Sequence, residues 1–183
     1  MSVDSIIDAT IGKEGGYSDH PADTGGKTMW GITEAVARSN GYRGDMRALP
    51  RSEAVRIYRD QYFVRPGFAQ VAVISPLIAE KLFDTGVNMG PSWPAIWLQQ
   101  WLNAFNNGGK LYADITEDGA IGPATVGALG RLIAARGRTQ AEDVVLKGLN
   151  CSQGVRYLEL SRSRVANEAF TFGWLANRVG MAA

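Results

Sequence analysis

The segment GGYSDHPADTGGKTMWG, residues 15–31, follows a short helical pattern and decides how the rest of the chain is read. Gly15, Gly16, Gly25, Gly26 and Gly31, with Pro21, Asp19 and Asp23 among them, rule out a continuous helix. Turns must form there, and a short β-hairpin fits the spacing. Upstream, Ile6, Ile7 and Ile11 recur one helical turn apart before Gly12 ends the run. Downstream, Thr33-Glu34 opens a second helix that stops near Asn40-Gly41. The local order is helix, glycine-rich loop or hairpin, helix.

Further out the pattern stays helical. Ser52 is placed to cap a third helix carrying Val55, Tyr58 and Tyr62 on one face. Ser75-Pro76 is a cap followed by proline at the first helical position, with Leu77, Ile78, Leu82 and Phe83 forming a wide apolar face. A fifth helix runs from about Pro94 to Phe105, and Asn106-Asn107-Gly108-Gly109 breaks it. After a loop come a helix near Pro123 to Ala135, a long one from about Thr139 to Asn167, and a closing segment from Phe170 to Val179. The expected class is mainly α with one irregular or hairpin region. The Asn106–Gly109 break is the natural boundary, giving regions 1–107 and 108–183 packed together.

Composition narrows the function. The charge balance, 19 basic against 18 acidic residues, leaves a formal net charge of +1 and gives no electrostatic case for nucleic acid. One histidine, His20, and one cysteine, Cys151, are too few for a His/Cys zinc site, so a zinc amidase or peptidase is not expected. No disulfide can form within the chain, which suits a reducing compartment. Cys151 is expected to be a small buried residue. Residues 1–13 contain Asp4 and Asp8 and do not resemble a signal peptide. No stretch reaches the roughly 18 apolar residues of a membrane span. Synthesis in the cytoplasm without stable membrane insertion is the expectation.

Glu14 stands at the end of the first helix. Partial desolvation and the negative end of the helix dipole both favour its protonated form. A carboxylic acid still protonated near neutral pH is what protonation of a departing glycosidic oxygen requires. Asp23 follows nine residues later and Thr28 five beyond it. A turn-rich chain between them can place a second carboxylate across a cleft, and Thr28 can position water. The plainer alternatives are a solvated helix end for Glu14 and a turn former for Asp23. Gly26-Lys27-Thr28 is not the end of a phosphate-binding loop, because the glycine that loop needs at position 21 is Pro21.

Other side chains have two readings each. Tyr17 and Trp30 flank this stretch and either stack on sugar rings or, for Trp30, pack beneath the loop. Asp84 and Asn88, four apart on one helical face, would bind a sugar N-acetyl group or the glycine-rich loop. Trp93, Trp97 and Trp101 recur every fourth residue, and at least two are expected in the core. The segment Asp118 to Thr125 either grips peptide stems or is a turn capping the next helix. Arg156, Arg162, Arg164 and Arg178 either meet acidic stems or form a solvated face.

Three blocks resemble the glycoside hydrolase family 108 muramidases, which include secretion activator proteins and phage endolysins. They are Glu14-Gly15-Gly16-Tyr17, Pro21-Ala22-Asp23, and Thr28-Met29-Trp30-Gly31-Ile32-Thr33. The similarity continues through Leu82 to Gly90, through Asp118 to Thr125, which looks like a peptidoglycan-binding region, and through Phe172 to Leu175 with Arg178-Val179. That resemblance implies a lysozyme-like helical fold and Glu14 as catalytic acid. The order Glu14, Asp23, Thr28 also looks like the Glu-Asp-Thr constellation of phage-type lysozymes, with the last interval one residue shorter. The implied substrate is peptidoglycan glycan strands, with no cofactor and no metal. Delivery to the periplasm would need a holin or an export system. A wall-binding protein that does not cut and a lytic transglycosylase are the alternatives.

Overall fold

The computed structural model describes residues 4, 5, 7, 8, 11, 16–18 and 26–180. Glu14 and Asp23 lie outside the described residues. The chain forms two compact units, Met1–Arg65 and Pro66–Ala183. The boundary expected after Asn107 falls inside the second.

In the first unit, Asp4, Ser5, Ile7, Asp8 and Ile11 are helical. Strands β1 (Thr28–Met29) and β2 (Ile32–Thr33) form an antiparallel hairpin, in register Thr28 to Thr33 and Met29 to Ile32. Helix α1 (Glu34–Ser39) starts at once because the Thr33 side chain accepts from Val36 N at 3.3 Å, capping an otherwise orphaned donor. A 3-10 turn (Met46–Ala48) leads to α2 (Arg51–Arg59), which widens into a π turn at Asp60–Val64. Ser52 is not the cap of α2. The helix begins one residue earlier, and the Pro50 carbonyl already accepts from Glu53 N and Ala54 N. Ile7, Ile11, Ile32, Met46, Leu49 and Ile57 are buried and make this unit's core.

The second unit is helical: α3 (Phe68–Ile74), α4 (Pro76–Met89), α5 (Ser92–Phe105), α6 (Pro123–Arg136), α7 (Arg138–Ser163), a 3-10 turn (Val165–Asn167) and α8 (Glu168–Arg178). The α4 cap is as expected, with Ser75 accepting from Ile78 N at 3.3 Å and Pro76 in the first turn. Of its apolar residues Ile78, Leu82 and Phe83 are buried, but Leu77 is exposed. The core joins them to Phe68, Val71, Leu98, Leu102, Leu129 and Leu149. None of the described helices is long and apolar enough to cross a membrane.

Two expectations about this unit fail. A residue every fourth position drifts about 40° around a helix per step, since four residues turn through more than one full circle. The three tryptophans of α5 therefore fan out. Only Trp97 is buried, Trp93 is 38% exposed and Trp101 is half-buried. On α7 the inward stripe is Val145, Leu149, Gln153, Tyr157 and Ser161, and Cys151 falls outside it. Cys151 is exposed rather than buried.

Candidate active site and peptidoglycan region

The glycine-rich loop ends in a tight hairpin with Trp30 and Gly31 at its tip. Both have positive φ, 56° and 73°. Consecutive left-handed residues are what a two-residue hairpin turn needs to match strand twist, and Gly31 takes that conformation without a Cβ clash. Trp30 does not, at a cost of about 1 kcal/mol. It is held by two bonds: its Nε1 donates to Leu49 O at 2.9 Å, and its own carbonyl accepts from Tyr58 Oη at 3.4 Å. Trp30 is half-buried.

Thr28 begins the hairpin. Ser18 bridges to it in both directions, Ser18 N to Thr28 O at 2.9 Å and Thr28 N to Ser18 O at 2.8 Å. Tyr17 is thereby carried beside β1. The Arg47 guanidinium lies over the Tyr17 ring, 4.9 Å from its centre, held on the 3-10 turn that Asp45 caps. Thr28 Oγ1 donates to Gly26 O at 3.2 Å, which leaves the hydroxyl's lone pairs unspent by that bond. Tyr17, Thr28 and Trp30 are thus brought onto one small hairpin. Arg47 and the Leu49 carbonyl complete the arrangement, and no local pattern pointed to either.

Asp84 and Asn88 lie in the second unit on α4, and each engages the same partner. Arg178 Nη1 donates to Asp84 Oδ1 at 2.6 Å. With its carbonyl turned toward the guanidinium, the Asn88 amide accepts from Arg178 Nη1 at 2.9 Å and Nε at 3.1 Å. Lys81, one turn before Asp84, donates to Arg178 O at 2.9 Å and Gln153 Oε1 at 2.6 Å. Burial pushes the Lys81 ammonium down to about 8, with Asp84 opposing that shift and Arg178 adding to it. This cluster latches the end of α8 to α4 and α7. Arg178 is therefore committed to Asp84 and Asn88 rather than to an acidic stem.

The segment Asp118 to Thr125 is a turn clamped by a buried amide. Gln99 Nε2 donates to Asp118 Oδ1 at 2.8 Å and Ala120 O at 3.1 Å, while Gln99 Oε1 accepts from Gly119 N at 2.8 Å. Asp118 also accepts from Ala120 N, and these bonds lower its carboxyl below the usual range. Asp118 does not cap α6. Gly122 stands there without a side-chain bond, and Pro123 opens the helix.

Residues 7–90 match the family model described as glycosyl hydrolase 108, and residues 93–179 match one described as a predicted peptidoglycan domain. No functionally curated protein matches the chain. Among solved structures, SagA of Brucella abortus is similar with a TM-score of 0.63 at 24% identity, over 94% of this chain and 87% of that one. At that identity the likeness speaks for the fold. The mainly α architecture with its single described hairpin is the expected one. Residues 7–90 are thus similar to the glycosyl hydrolase 108 family and are followed by a peptidoglycan-domain match, and the chain is a glycoside hydrolase acting on peptidoglycan.

Proposed function

We propose that the protein is an N-acetylmuramidase that hydrolyses the β-1,4 bond between N-acetylmuramic acid and N-acetylglucosamine. The match of residues 7–90 to the hydrolase family carries this reading, because it spans Glu14, Asp23 and Thr28 together. Glu14 protonates the leaving oxygen. Asp23 supports the developing positive charge or the water that replaces the leaving group. The Thr28 hydroxyl, its proton given to Gly26 O, accepts from that water and orients it. Tyr17 and Trp30 offer ring faces to the glycan, and the Trp30 N–H is already committed to Leu49. Asp84 and Asn88 direct their oxygens at Arg178, so a sugar N-acetyl group would have to displace that guanidinium. The protein is made in the cytoplasm and acts on the wall in the periplasm. It does so as a phage or prophage endolysin released through a holin, or as a muramidase that opens the wall for protein export.

Digestion of purified sacculi followed by mass spectrometry tests the chemistry. Reducing muropeptides are expected from the native chain. Glu14→Gln should slow their release by about a hundredfold or more, the scale of a lost general acid, with the helical circular dichroism unchanged. Near-normal lysis by that variant would sink the assignment. Products lighter by one water would instead identify a transglycosylase.

A further inference from the structure

In the second unit, the C-terminal ends of α5 and α6 converge on the N-terminal turn of α7 around a cavity of about 350 Å³. Phe105, Leu132 and Val144 give it apolar walls, and Asn107, Arg136 and Gln140 stand at its rim. All three rim side chains are exposed. Among the described residues no hydrogen bond or ion pair engages any of the three, which is unusual here, since most other arginines are paired. A second groove, beside Trp93 and Trp101, differs in this respect. Its arginine is paired and its indole is bonded, Arg156 Nη1 to Glu159 at 3.0 Å and Trp101 Nε1 to Ser152 Oγ at 3.0 Å, although Arg156 Nε has no partner.

An apolar hollow with a few convergent, unspent polar groups is the usual make-up of a ligand site. We propose that this cavity binds the peptide stem of peptidoglycan, a short chain with small aliphatic side chains and free carboxylates. The methyl groups enter the hollow, and a carboxylate pairs with Arg136, whose planar guanidinium suits it. The Asn107 and Gln140 amides serve the peptide groups between. A bare glycan strand fits less well. It lacks the negative charge Arg136 asks for, and sugar faces want an open aromatic platform, which this cavity does not present. The proposal rests on peptidoglycan as the substrate but not on Glu14, so binding can be read apart from turnover.

Isothermal titration of the full-length protein tests it. The probes are the tetrapeptide L-alanyl-γ-D-glutamyl-diaminopimelyl-D-alanine, the same peptide with its carboxyls amidated, and chitotetraose. The free tetrapeptide should bind saturably. Amidation, Arg136→Gln and Gln140→Glu should each weaken it about tenfold or more, the cost of a lost charge-assisted bond or an added like charge. Both substituted residues are exposed, so thermal unfolding should stay unchanged, and Trp93→Ala should bind as the native chain does. No saturable binding, or binding indifferent to both rim variants, would overturn the proposal. So would chitotetraose binding that falls with those variants, since the occupant would then be glycan. Loss of lysis in Glu14→Gln with peptide binding intact would separate the two sites.

Discussion

Trp30 occupies a backbone conformation that β-carbon sterics disfavour, and nothing in its own turn compensates for it. The compensation comes from 19 residues away, at the Leu49 carbonyl, which is why the indole must be tryptophan rather than any aromatic. Trp30→Phe keeps the ring face but deletes the donor, leaving the nearly buried Leu49 without that partner. A loss of about 1 to 2 kcal/mol in urea unfolding is expected. An unchanged midpoint would mean the bond is not made in solution. Lys81 gives a second test of a single group, with the sign set by its lowered proton affinity. Below about pH 8 it is charged in both folded and unfolded chains, and the fold bears the full cost of burying an ammonium. Between about 8 and the ordinary lysine value of 10.5 only the unfolded chain keeps the proton, so stability rises with pH and then levels off. Relative to Lys81→Met, the native chain should gain about 3 kcal/mol from pH 7 to pH 11, read as the difference in unfolding free energy. A difference that does not move with pH would show that the ammonium is solvated.

At the scale of the helix, two glycines set how closely neighbours approach. Gly148 lies inside α7, where alanine would ordinarily gain about 1 kcal/mol of helix propensity. A Cβ there would sit 2.7 Å from the Trp101 ring, a rigid body already stacked on Phe105 and bonded to Ser152. Overpacking of that kind costs about 1 to 3 kcal/mol, so Gly148→Ala should destabilise on balance. A raised melting temperature would show that Trp101 moves aside freely. Gly67 has no such contest. Its φ is +84°, and a Cβ would meet the Ile121 carbonyl at 2.4 Å. Gly67→Ala should cost about 2 kcal/mol or more, from backbone strain and the clash together. Elements of this kind divide what the sequence could tell. The hairpin was legible because five glycines and Pro21 within 17 residues leave helix no room, and α4 because serine before proline is a start signal with a mechanism. Helix α3 was not, because Phe-Ala-Gln-Val-Ala-Val-Ile is too short and too β-branched to show a helical period. At the candidate site, Tyr17, Thr28 and Trp30 were legible through their closeness in sequence. The Arg178 that holds Asp84 and Asn88 is some 90 residues away, and local pattern carries no such pairing.

Across the whole molecule, the family boundary and the packing boundary do not coincide. The hydrolase match ends at residue 90, whereas the second compact unit begins at Pro66. Helices α3 and α4 therefore lie within the hydrolase match and, by packing, in the second unit. Ile78, Leu82 and Phe83 of α4 are fully buried there, and each is worth about 1.5 to 3 kcal/mol. Their sum, roughly 5 to 9 kcal/mol, is comparable to the entire stability of an ordinary domain. Removing α4 would also strip Lys81 and Asp84 from Arg178, undoing the latch on α8. A fragment cut at the family boundary, residues 91–183, should therefore show little cooperative unfolding. A fragment cut at the packing boundary, residues 66–183, should melt cooperatively with helical circular dichroism and sediment with purified sacculi without releasing muropeptides. Equal cooperativity in the two fragments would mean that α4 is dispensable to the core it lines, and cooperative melting of neither would mean that the second unit depends on residues 1–65.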